Sequence, residues 1–379
     1  MQKPRPFVGY YSENMISPVA QDLSDLNRHF EIRNSLYRTL GIPSLFVKGR
    51  RVIEFGPGSG HNALFTSSLS PSRYVLVDGN PTGIAEVNKL FAKRASGQSI
   101  TLIESYIEEF CSAEKFDLVL CEGVIPTQVE PVSFLKHVAS FATVGGIVVI
   151  TCLDYVSCLS EVLRRFVSRC MSIQNGSLQD NVRNLVPIWK DHLNSLEGMT
   201  RSHEDWIKDN MLQPFYGPLF SIKDAVESLR ESFYVYNSSP SFICDWRWFK
   251  TLHGKEAGRV NDIALDQYLN NVHNLVDYRF VYPKRDVLLN TELIDLCTAV
   301  YDEVENFMRH HDLKSIVKVC DLTKFIGINL KSLNAIYPDV FSDYRSALKA
   351  IVNDGGKHDF RLFTTFFGRG QQYVSFIRN

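Results

Sequence analysis

A glycine-rich turn between a predicted strand and a predicted helix constrains this chain more than any other feature. The segment Val52–Gly60 has the sequence VIEFGPGSG, in which the acidic residue Glu54 precedes glycines at positions 56, 58 and 60. Glycine lets a strand turn sharply into a helix and lets a ligand lie against the backbone, because no Cβ is in the way. The free amides of the following helix can then face that ligand. The pattern predicts an α/β fold with a ligand site at this turn.

Residues 51–154 alternate short apolar runs with helical segments, which is typical of a parallel sheet with helices on both faces. The predicted strands are RRVIEF, SRYVLVD, SITLIES, FDLVLCE and GGIVVITCLD. The predicted helices between them are HNALFTSSL, PTGIAEVNKLFAKRA and EPVSFLKHVASFA, whose apolar residues recur at three and four positions. After residue 154 helical segments dominate, and SFYVYNSS and YVSFI are the remaining predicted strands.

Two kinds of ligand compete for such a turn. A dinucleotide site of the form G-x-G-x-x-G would need its third glycine at position 61, which His61 occupies. The Glu54 carboxylate would repel a pyrophosphate but would suit a ligand that carries an ammonium group. Asp78, at the end of the second predicted strand, can accept hydrogen bonds from both hydroxyls of a ribose. A nucleoside with a cationic amino-acid tail satisfies both carboxylates, and S-adenosylmethionine is such a molecule.

Residues 51–154 resemble the class I S-adenosylmethionine-dependent methyltransferases in the glycine turn, in Asp78 and in the glycine pair Gly145–Gly146 before the fifth strand. The resemblance implies a Rossmann-like seven-stranded methyltransferase sheet, closed by an antiparallel last strand and interrupted by two helical insertions. It also implies S-adenosylmethionine as the cofactor. Where the family usually has a Gly-Asp pair after the third strand, this chain has Ser105 and Tyr106.

The resemblance assigns the candidate cofactor residues. The glycine turn would wrap the methionine part, Asp78 would hold the ribose, residues after the third strand would contact the adenine, and residues after the fourth would line the methyl end. These candidates are Glu54, Gly56, Gly58, Gly60, Asp78, Tyr106, Ile107, Glu122 and Gly123.

The resemblance also predicts how the chain is divided. The six predicted segments are an N-terminal arm and helix (1–50), a cofactor-binding core (51–154), a helical cap insertion (155–230), core strand six (231–246), a second helical insertion (247–357) and closing strand seven (358–379).

Methyl transfer is an in-line displacement that depends on alignment and, for many acceptors, on a general base. The predicted catalytic residues are His203 and Tyr11, and the predicted substrate residues are Tyr10, Trp189, His192, Trp206 and Tyr216. For each of them a plainer role competes, since histidines on helices usually pack or face solvent and aromatic residues at these spacings usually form core. No metal site is predicted, because the adjacent His310 and His311 would point in different directions on a helix.

Composition narrows the function classes. Lysine and arginine number 41 against 42 acidic residues, for a net charge of −1, which disfavours a nucleic-acid partner. No apolar run suits a signal peptide or a transmembrane helix, so no membrane partner is predicted. The eight cysteines include no C-x-x-C pair and are expected to be reduced thiols, which predicts a cytoplasmic protein. The oligomeric state is not predictable from these features.

The sequence therefore predicts a methyltransferase that acts on a small-molecule acceptor, such as a sugar or another biosynthetic intermediate. The helical cap would exclude water from an enclosed pocket. Two alternatives stay open: a methyltransferase for a macromolecule, either protein or RNA, and a binding or scaffold protein that keeps the fold without turnover. The loop EGVIPTQ after the fourth strand lacks the D/N-P-P-Y motif of many nucleic-acid and protein amino-group methyltransferases, which favours the small acceptor.

Overall fold

The structure is a computed structural model that describes residues 6–14, 16, 21–94, 100–171, 177–213, 218–354 and 360–379. Its strands are β1 Arg51–Phe55, β2 Arg73–Asp78, β3 Thr101–Glu104, β4 Phe116–Cys121, β5 Ala142–Leu153, β6 Phe233–Ser239 and β7 Gln371–Arg378. Its helices are α1 Pro6–Glu13, α2 Leu26–Thr39, α3 Ser44–Val47, α4 His61–Ser68, α5 Pro81–Arg94, α6 Pro131–Ala139, α7 Leu159–Cys170, α8 Leu178–Ser195, α9 His203–Ile207, α10 Ile222–Leu229, α11 Val260–Asn271, α12 Val287–His310, α13 Lys314–Leu330 and α14 Tyr337–Asp354.

All seven strands form one sheet with the order β3-β2-β1-β4-β5-β7-β6. Strands β1 to β5 run parallel to one another, and β7 is antiparallel to both β5 and β6. The prediction of a Rossmann-like sheet with an antiparallel last strand is confirmed. The strand order reverses between β1 and β4, and in open α/β sheets ligands bind outside the carboxyl ends of the strands at such a reversal.

The inner strands are apolar because helices cover both faces of the sheet. Residues 52–55 of β1 and 74–78 of β2 are all buried, as expected for parallel strands in this class of fold. One face of the sheet packs on Tyr37 from α2 and on Leu64 and Phe65 from α4.

Helix α2 has a buried face that is more polar than core packing requires. Asp25 caps the helix by accepting a hydrogen bond from the Arg28 amide, and the residues buried on it are His29, Arg33 and Tyr37. Their four-residue spacing places them in one row along the helix. The row brings an imidazole and a guanidinium towards the sheet.

The chain divides into two compact units. The sheet unit comprises residues 1–153, 216–268 and 371–379, and the helical unit comprises residues 154–215 and 269–370. Helix α10 and most of α11 therefore belong to the sheet unit, although the sequence grouped them with the insertions. The six predicted segment limits stay a prediction.

The helical unit is built from two stretches that are far apart in the sequence. Helices α12, α13 and α14 follow one another, and α7 from the earlier stretch packs with them, as in the edge-to-face contact of Phe166 with Phe307, whose ring centroids are 5.1 Å apart. Among the described residues, none of the helices combines the length and apolarity needed to span a bilayer.

Candidate cofactor site

The glycine turn that follows β1 has the backbone conformation that its sequence requires. Gly56, Gly58 and Gly60 have φ angles of +70°, +55° and +76°, in the left-handed region that favours glycine. At Gly60 space is also limited, because a Cβ would lie 2.9 Å from the Val87 side chain. Helix α4 begins at the next residue, His61. The turn therefore presents bare backbone at the carboxyl end of β1.

Asp78 ties the end of β2 to this turn. One carboxylate oxygen accepts a hydrogen bond from the Gly58 amide at 3.2 Å, and the other accepts one from the Asn80 amide at 2.8 Å. Burial raises the pKa of Asp78 to about 6, although the backbone donors act in the opposite direction. The Gly79 amide also acts on this carboxylate, and its remaining lone-pair capacity is able to accept from a ribose hydroxyl.

Tyr106 and Ile107 follow β3 and lie beside the end of β2. The Ser105 amide donates to the Asp78 carbonyl oxygen at 3.0 Å. A Cβ on Gly79 would lie 2.7 Å from the Tyr106 ring, so this ring covers the backbone next to Asp78. Ile107 is buried, and its carbonyl oxygen accepts a hydrogen bond from His137 Nε2 at 2.9 Å.

Glu122 and Gly123 follow β4, next to the end of β1. The Gly123 amide donates to Thr151 Oγ1 at 2.7 Å, which fixes the loop to β5. Both Glu122 oxygens accept hydrogen bonds from the Arg33 guanidinium of α2, at 2.7 and 2.8 Å. Such a two-pronged pair is among the strongest hydrogen-bonded arrangements of side chains.

Sequence reasoning missed Arg33. Its partner Glu122 is 89 positions away, and no local motif links the two. A weak signal was present, because a charged residue in the row between His29 and Tyr37 of a predicted helix calls for a buried partner.

Glu54 is buried at the end of β1 and accepts a hydrogen bond from the Tyr74 hydroxyl of β2. Burial raises its pKa to about 7, and the nearby Glu122 adds to the shift, whereas Tyr74 and Arg33 oppose it. The carboxylate thus lacks full charge compensation. This is the environment that a cationic ligand group would stabilise.

The chain ahead of α2 is tied to the same edge of the sheet. The Ile16 carbonyl oxygen accepts from Asn80 Nδ2 at 3.0 Å, and the Gln21 amide donates to His61 Nδ1 at 2.8 Å. Tyr10 and Tyr11 lie on α1, and the Tyr11 carbonyl oxygen accepts from the Ile16 amide at 2.8 Å. The structure thus links Tyr11 to the end of β2 through the Ile16 backbone and the Asn80 side chain.

The predicted acceptor residues in the helical unit include two that pack in its core. Trp189 is fully buried and donates from Nε1 to Ser168 Oγ at 3.0 Å. His192 is also buried, and its Nδ1 accepts a hydrogen bond from Arg164 Nε at 3.2 Å. Burial, with Arg164 nearby, lowers the pKa of His192 to about 2, so it stays neutral and is a poor base. These two side chains have almost no exposed surface to offer an acceptor.

The other predicted residues of that stretch differ in accessibility. Trp206 is buried and its ring centroid lies 6.4 Å from that of Phe367. His203 is the first residue of α9 and is partly exposed. Tyr216 lies outside the described residues. The acceptor role of all three stays a prediction.

The sheet-unit residues fit S-adenosylmethionine. Bare left-handed backbone at the turn leaves room for the methionine chain, Asp78 can accept from a ribose, and Glu54 is an undercompensated buried carboxylate. Across the described ranges, no group of three or more His, Cys, Asp or Glu side chains is arranged to hold a metal ion.

Comparison with known proteins gives the same assignment for part of the chain. Residues 46–201 match a family model described as a methyltransferase domain. No curated protein matches the chain.

Several solved structures resemble it at low identity. The N-methyltransferase NodS from Bradyrhizobium japonicum, in complex with S-adenosylhomocysteine, is 20% identical over 39% of this chain and 76% of NodS, with a TM-score of 0.32. PKMT2 from Rickettsia typhi, in complex with AdoHcy, is 19% identical over 63% of this chain and 49% of PKMT2, with a TM-score of 0.40. The methyltransferase CcbJ from Streptomyces caelestis is 14% identical over 34% of this chain and 53% of CcbJ, with a TM-score of 0.29. This chain thus spans about half the length of PKMT2 and of CcbJ, and these likenesses say nothing of its acceptor.

Proposed function

We propose that this protein, whose residues 46–201 match a methyltransferase-domain model, is a class I S-adenosylmethionine-dependent methyltransferase that methylates a small-molecule acceptor such as a sugar or another biosynthetic intermediate. When bound, S-adenosylmethionine would supply a methyl group on a sulfonium centre: a nucleophilic atom of the acceptor would attack the methyl carbon in line, and the C–S bond would break to leave S-adenosylhomocysteine. The chain's own task is to hold the two reactants aligned and to exclude water.

The residues of the sheet unit have distinct proposed roles. The backbone of the glycine turn would lie along the methionine part of the cofactor, and Asp78 would accept hydrogen bonds from its ribose. Tyr106 and Ile107 would border the adenine, and Gly123 would leave space at the methyl end. His203 and Tyr11 are retained as proposed bases, and Tyr10 as a proposed acceptor contact.

The observation that supports a small acceptor is that two points of the N-terminal chain are hydrogen-bonded at the carboxyl edge of the sheet. Asn80 holds the Ile16 carbonyl, and His61 holds the Gln21 amide. We propose that the N-terminal chain, anchored at these two points, narrows the approach to the glycine turn. A narrow approach favours a small molecule over a folded polymer. A cytoplasmic location stays a prediction.

A macromolecular acceptor is the second candidate, and one surface favours it. Trp246, Trp248 and Phe249 follow β6 and are 91%, 60% and 65% exposed. Lys250 Nζ lies 5.7 and 5.9 Å from the centroids of the Trp248 and Phe249 rings. Exposed aromatic side chains beside a basic residue are suited to binding a protein or a single-stranded nucleic acid.

Calorimetry with S-adenosylhomocysteine tests the cofactor site. We expect Gly58→Val and Asp78→Ala to weaken binding at least tenfold, because one fills the turn and the other removes a carboxylate. Gly254→Val is the matched control, since Gly254 also has a φ of +55° but no described atom lies within 4 Å of where its Cβ would be. Absence of binding to the wild-type protein would contradict the cofactor role, and would favour the scaffold alternative.

Transfer of a labelled methyl group tests the acceptor class. Cell extract is divided into a fraction below about 3 kDa and a macromolecular fraction, and each is incubated with the protein and labelled S-adenosylmethionine. We expect label in the small fraction, unchanged by the double variant Trp246→Ser/Trp248→Ser. Label in protein or RNA that this variant abolishes would establish the second candidate instead.

A further inference from the structure

A cluster of buried charges lies where β1 and β4 end, and the proposed function gives no role to the cation in it, Arg33. The cluster joins Arg33 of α2 with Glu54 of β1 and with Glu122 of the loop after β4. Glu54 and Glu122 are close because β1 and β4 are neighbours, with Glu54 opposite Leu120 and Phe55 opposite Cys121. All three side chains belong to the sheet unit.

The Arg33 guanidinium is held in one position. It donates two hydrogen bonds to Glu122, and the two side chains are only 5% and 10% exposed. Its carbon Cζ lies 5.3 Å from the Tyr37 ring centroid, so an aromatic face supports it. Its buried Nε has no hydrogen-bond partner among the described residues. Burying a cation costs free energy unless a counter-charge compensates it, and Glu122 is that counter-charge here.

The charges of the cluster do not balance. The groups that act on Glu54 are Glu122, Tyr74, Arg33, Tyr37 and Asp78, and Arg33 is the one cation in this described set. On the other side, Tyr373 of β7 faces both Arg33 and Glu122 without adding a charge. With both glutamates ionised, Arg33 compensates one of them, so these three groups keep one negative charge in excess, and Asp78 outside the cluster acts in the same direction. A proton on Glu54 removes that excess in the free protein.

We propose that Arg33 is a positioning residue that fixes Glu122 and leaves the cluster one cation short, so that the ammonium group of the bound cofactor replaces the proton of Glu54. The proton leaves for solvent as the ammonium arrives, and no covalent bond between heavy atoms changes. This inference rests on the proposed function, and it adds a residue, a charge balance and a proton linkage that the glycine turn alone does not imply.

The direction of the pH dependence follows from the same charges. In the free protein the pKa of Glu54 is raised to about 7, and a neighbouring ammonium would lower it. Between the lowered and the raised pKa, binding releases a proton, so affinity increases with pH by at most about tenfold per pH unit. Above about pH 8 Glu54 is already ionised in the free protein, and affinity levels off. Arg33 lowers the pKa of Glu54, so its removal would move this plateau to higher pH.

The test is titration calorimetry with S-adenosylhomocysteine, which keeps the ammonium group, between about pH 5.5 and 8.5. Measuring each point in two buffers of different ionisation enthalpy gives the number of protons released. For the wild-type protein we expect up to one proton released near pH 6.5 and none above about pH 8. Glu54→Gln should lose the release seen near pH 7, and any release that remains towards pH 5.5 is assigned to Asp78, whose pKa is raised to about 6.

Variants on α2 separate charge positioning from helix stability. Arg33→Met should weaken binding at pH 7 at least tenfold and shift the pH profile upwards by one unit or more. Arg38→Met is the matched control, since Arg38 is exposed on the same helix and should leave the profile unchanged. Arg33→Lys should shift the pH profile less than Arg33→Met does, because lysine keeps the positive charge but not the planar guanidinium.

The outcomes distinguish this inference from the proposed function. If the wild-type protein binds no S-adenosylhomocysteine at any pH, the proposed function fails and the inference fails with it. If it binds with the same affinity across the range and releases no proton, only the inference fails. The same holds if Arg33→Met and Arg38→Met have identical profiles. Should Arg33→Met not fold, the wild-type, Glu54→Gln and Arg33→Lys measurements still decide.

Discussion

At the scale of single residues, the glycine turn combines two separate constraints on the backbone. Gly60 has a φ of +76° and also lies against Val87, whose Cγ2 would be 2.9 Å from an added Cβ. Gly49, just before β1, has nearly the same φ of +73°, but no described atom lies within 4 Å of such a Cβ. A comparison of Gly49 with Gly60 therefore separates the cost of backbone strain from the cost of a steric clash with Val87.

We therefore predict different costs for alanine at these two positions. Gly49→Ala should lose about 1–2 kcal/mol of unfolding free energy, the usual cost of a left-handed conformation for a residue with a side chain. Gly60→Ala should lose more, and should also weaken S-adenosylhomocysteine binding, because the turn must shift away from Val87. Denaturant unfolding and calorimetry provide the two readouts. Equal losses of unfolding free energy in both variants would show that the contact with Val87 adds no further cost.

Residue identity alone left the role of several side chains open. The sequence singled out Trp189 and His192 because their chemistry suits an acceptor pocket, and the structure buries both against Ser168 and Arg164. It gave no reason to single out Arg33, which contacts Glu122 across 89 positions. A side chain's function depends on which elements face it, and helix periodicity does not contain that information.

At the scale of elements, β6 is an edge strand of the sheet, and a side chain of α11 forms hydrogen bonds with its outer edge. Asn261 of α11 is buried, its Oδ1 accepts from the Val235 amide at 2.8 Å, and its Nδ2 donates to the Phe233 carbonyl oxygen at 2.9 Å. A side-chain amide thus replaces the neighbouring strand that an edge lacks. This also explains why α11 is largely part of the sheet unit.

Replacement of Asn261 should destabilise the edge of the sheet. Asn261→Leu leaves a buried amide and a buried carbonyl without partners, and we expect a loss of about 2 kcal/mol or more of unfolding free energy. Asp262→Ala, at the next position, removes only an exposed ion pair with Arg230 and should cost less than about 1 kcal/mol. Hydrogen exchange should speed up at β6 in the first variant only. Comparable effects in the two variants would rule out this role for Asn261.

At the scale of the whole molecule, the helical unit is assembled from residues 154–215 and 269–370. Arg164 of α7 links these two stretches. Its fully buried guanidinium donates to the Phe363 and Thr364 carbonyl oxygens at 3.3 Å, and its Cζ lies 3.7 Å from the Phe367 ring centroid. Burial lowers the pKa of Arg164 to about 9, so it is still charged at neutral pH.

Loss of Arg164 should therefore loosen the helical unit. Arg164→Met removes the buried hydrogen bonds to the Phe363 and Thr364 carbonyl oxygens and leaves His192 Nδ1 without its donor. We expect a loss of roughly 3 kcal/mol or more, together with faster hydrogen exchange in residues 159–170 and 360–367. Arg183→Met is the control, because Arg183 of α8 is 77% exposed and its ion pair with Asp180 contributes little. Unchanged exchange in residues 360–367 would contradict the proposed link.

The sequence by itself determined the sheet and the kind of cofactor. Short apolar runs, their alternation with helices and the Val52–Gly60 turn are local patterns, and each depends on the conformational limits of neighbouring residues. From them, and from the family resemblance they carry, followed the parallel strands, the antiparallel closing strand and the positions of Glu54 and Asp78. These predictions needed no knowledge of distant contacts.

Only the tertiary structure decided which distant groups share a buried site. It joined Arg33 to Glu122, set Glu54 beside both, brought Asn261 to the edge of β6 and placed His192 against Arg164. Each arrangement depends on desolvation, which makes an unpaired charge or amide costly and so fixes its partner. Burial is a property of the folded chain, and no stretch of sequence states it.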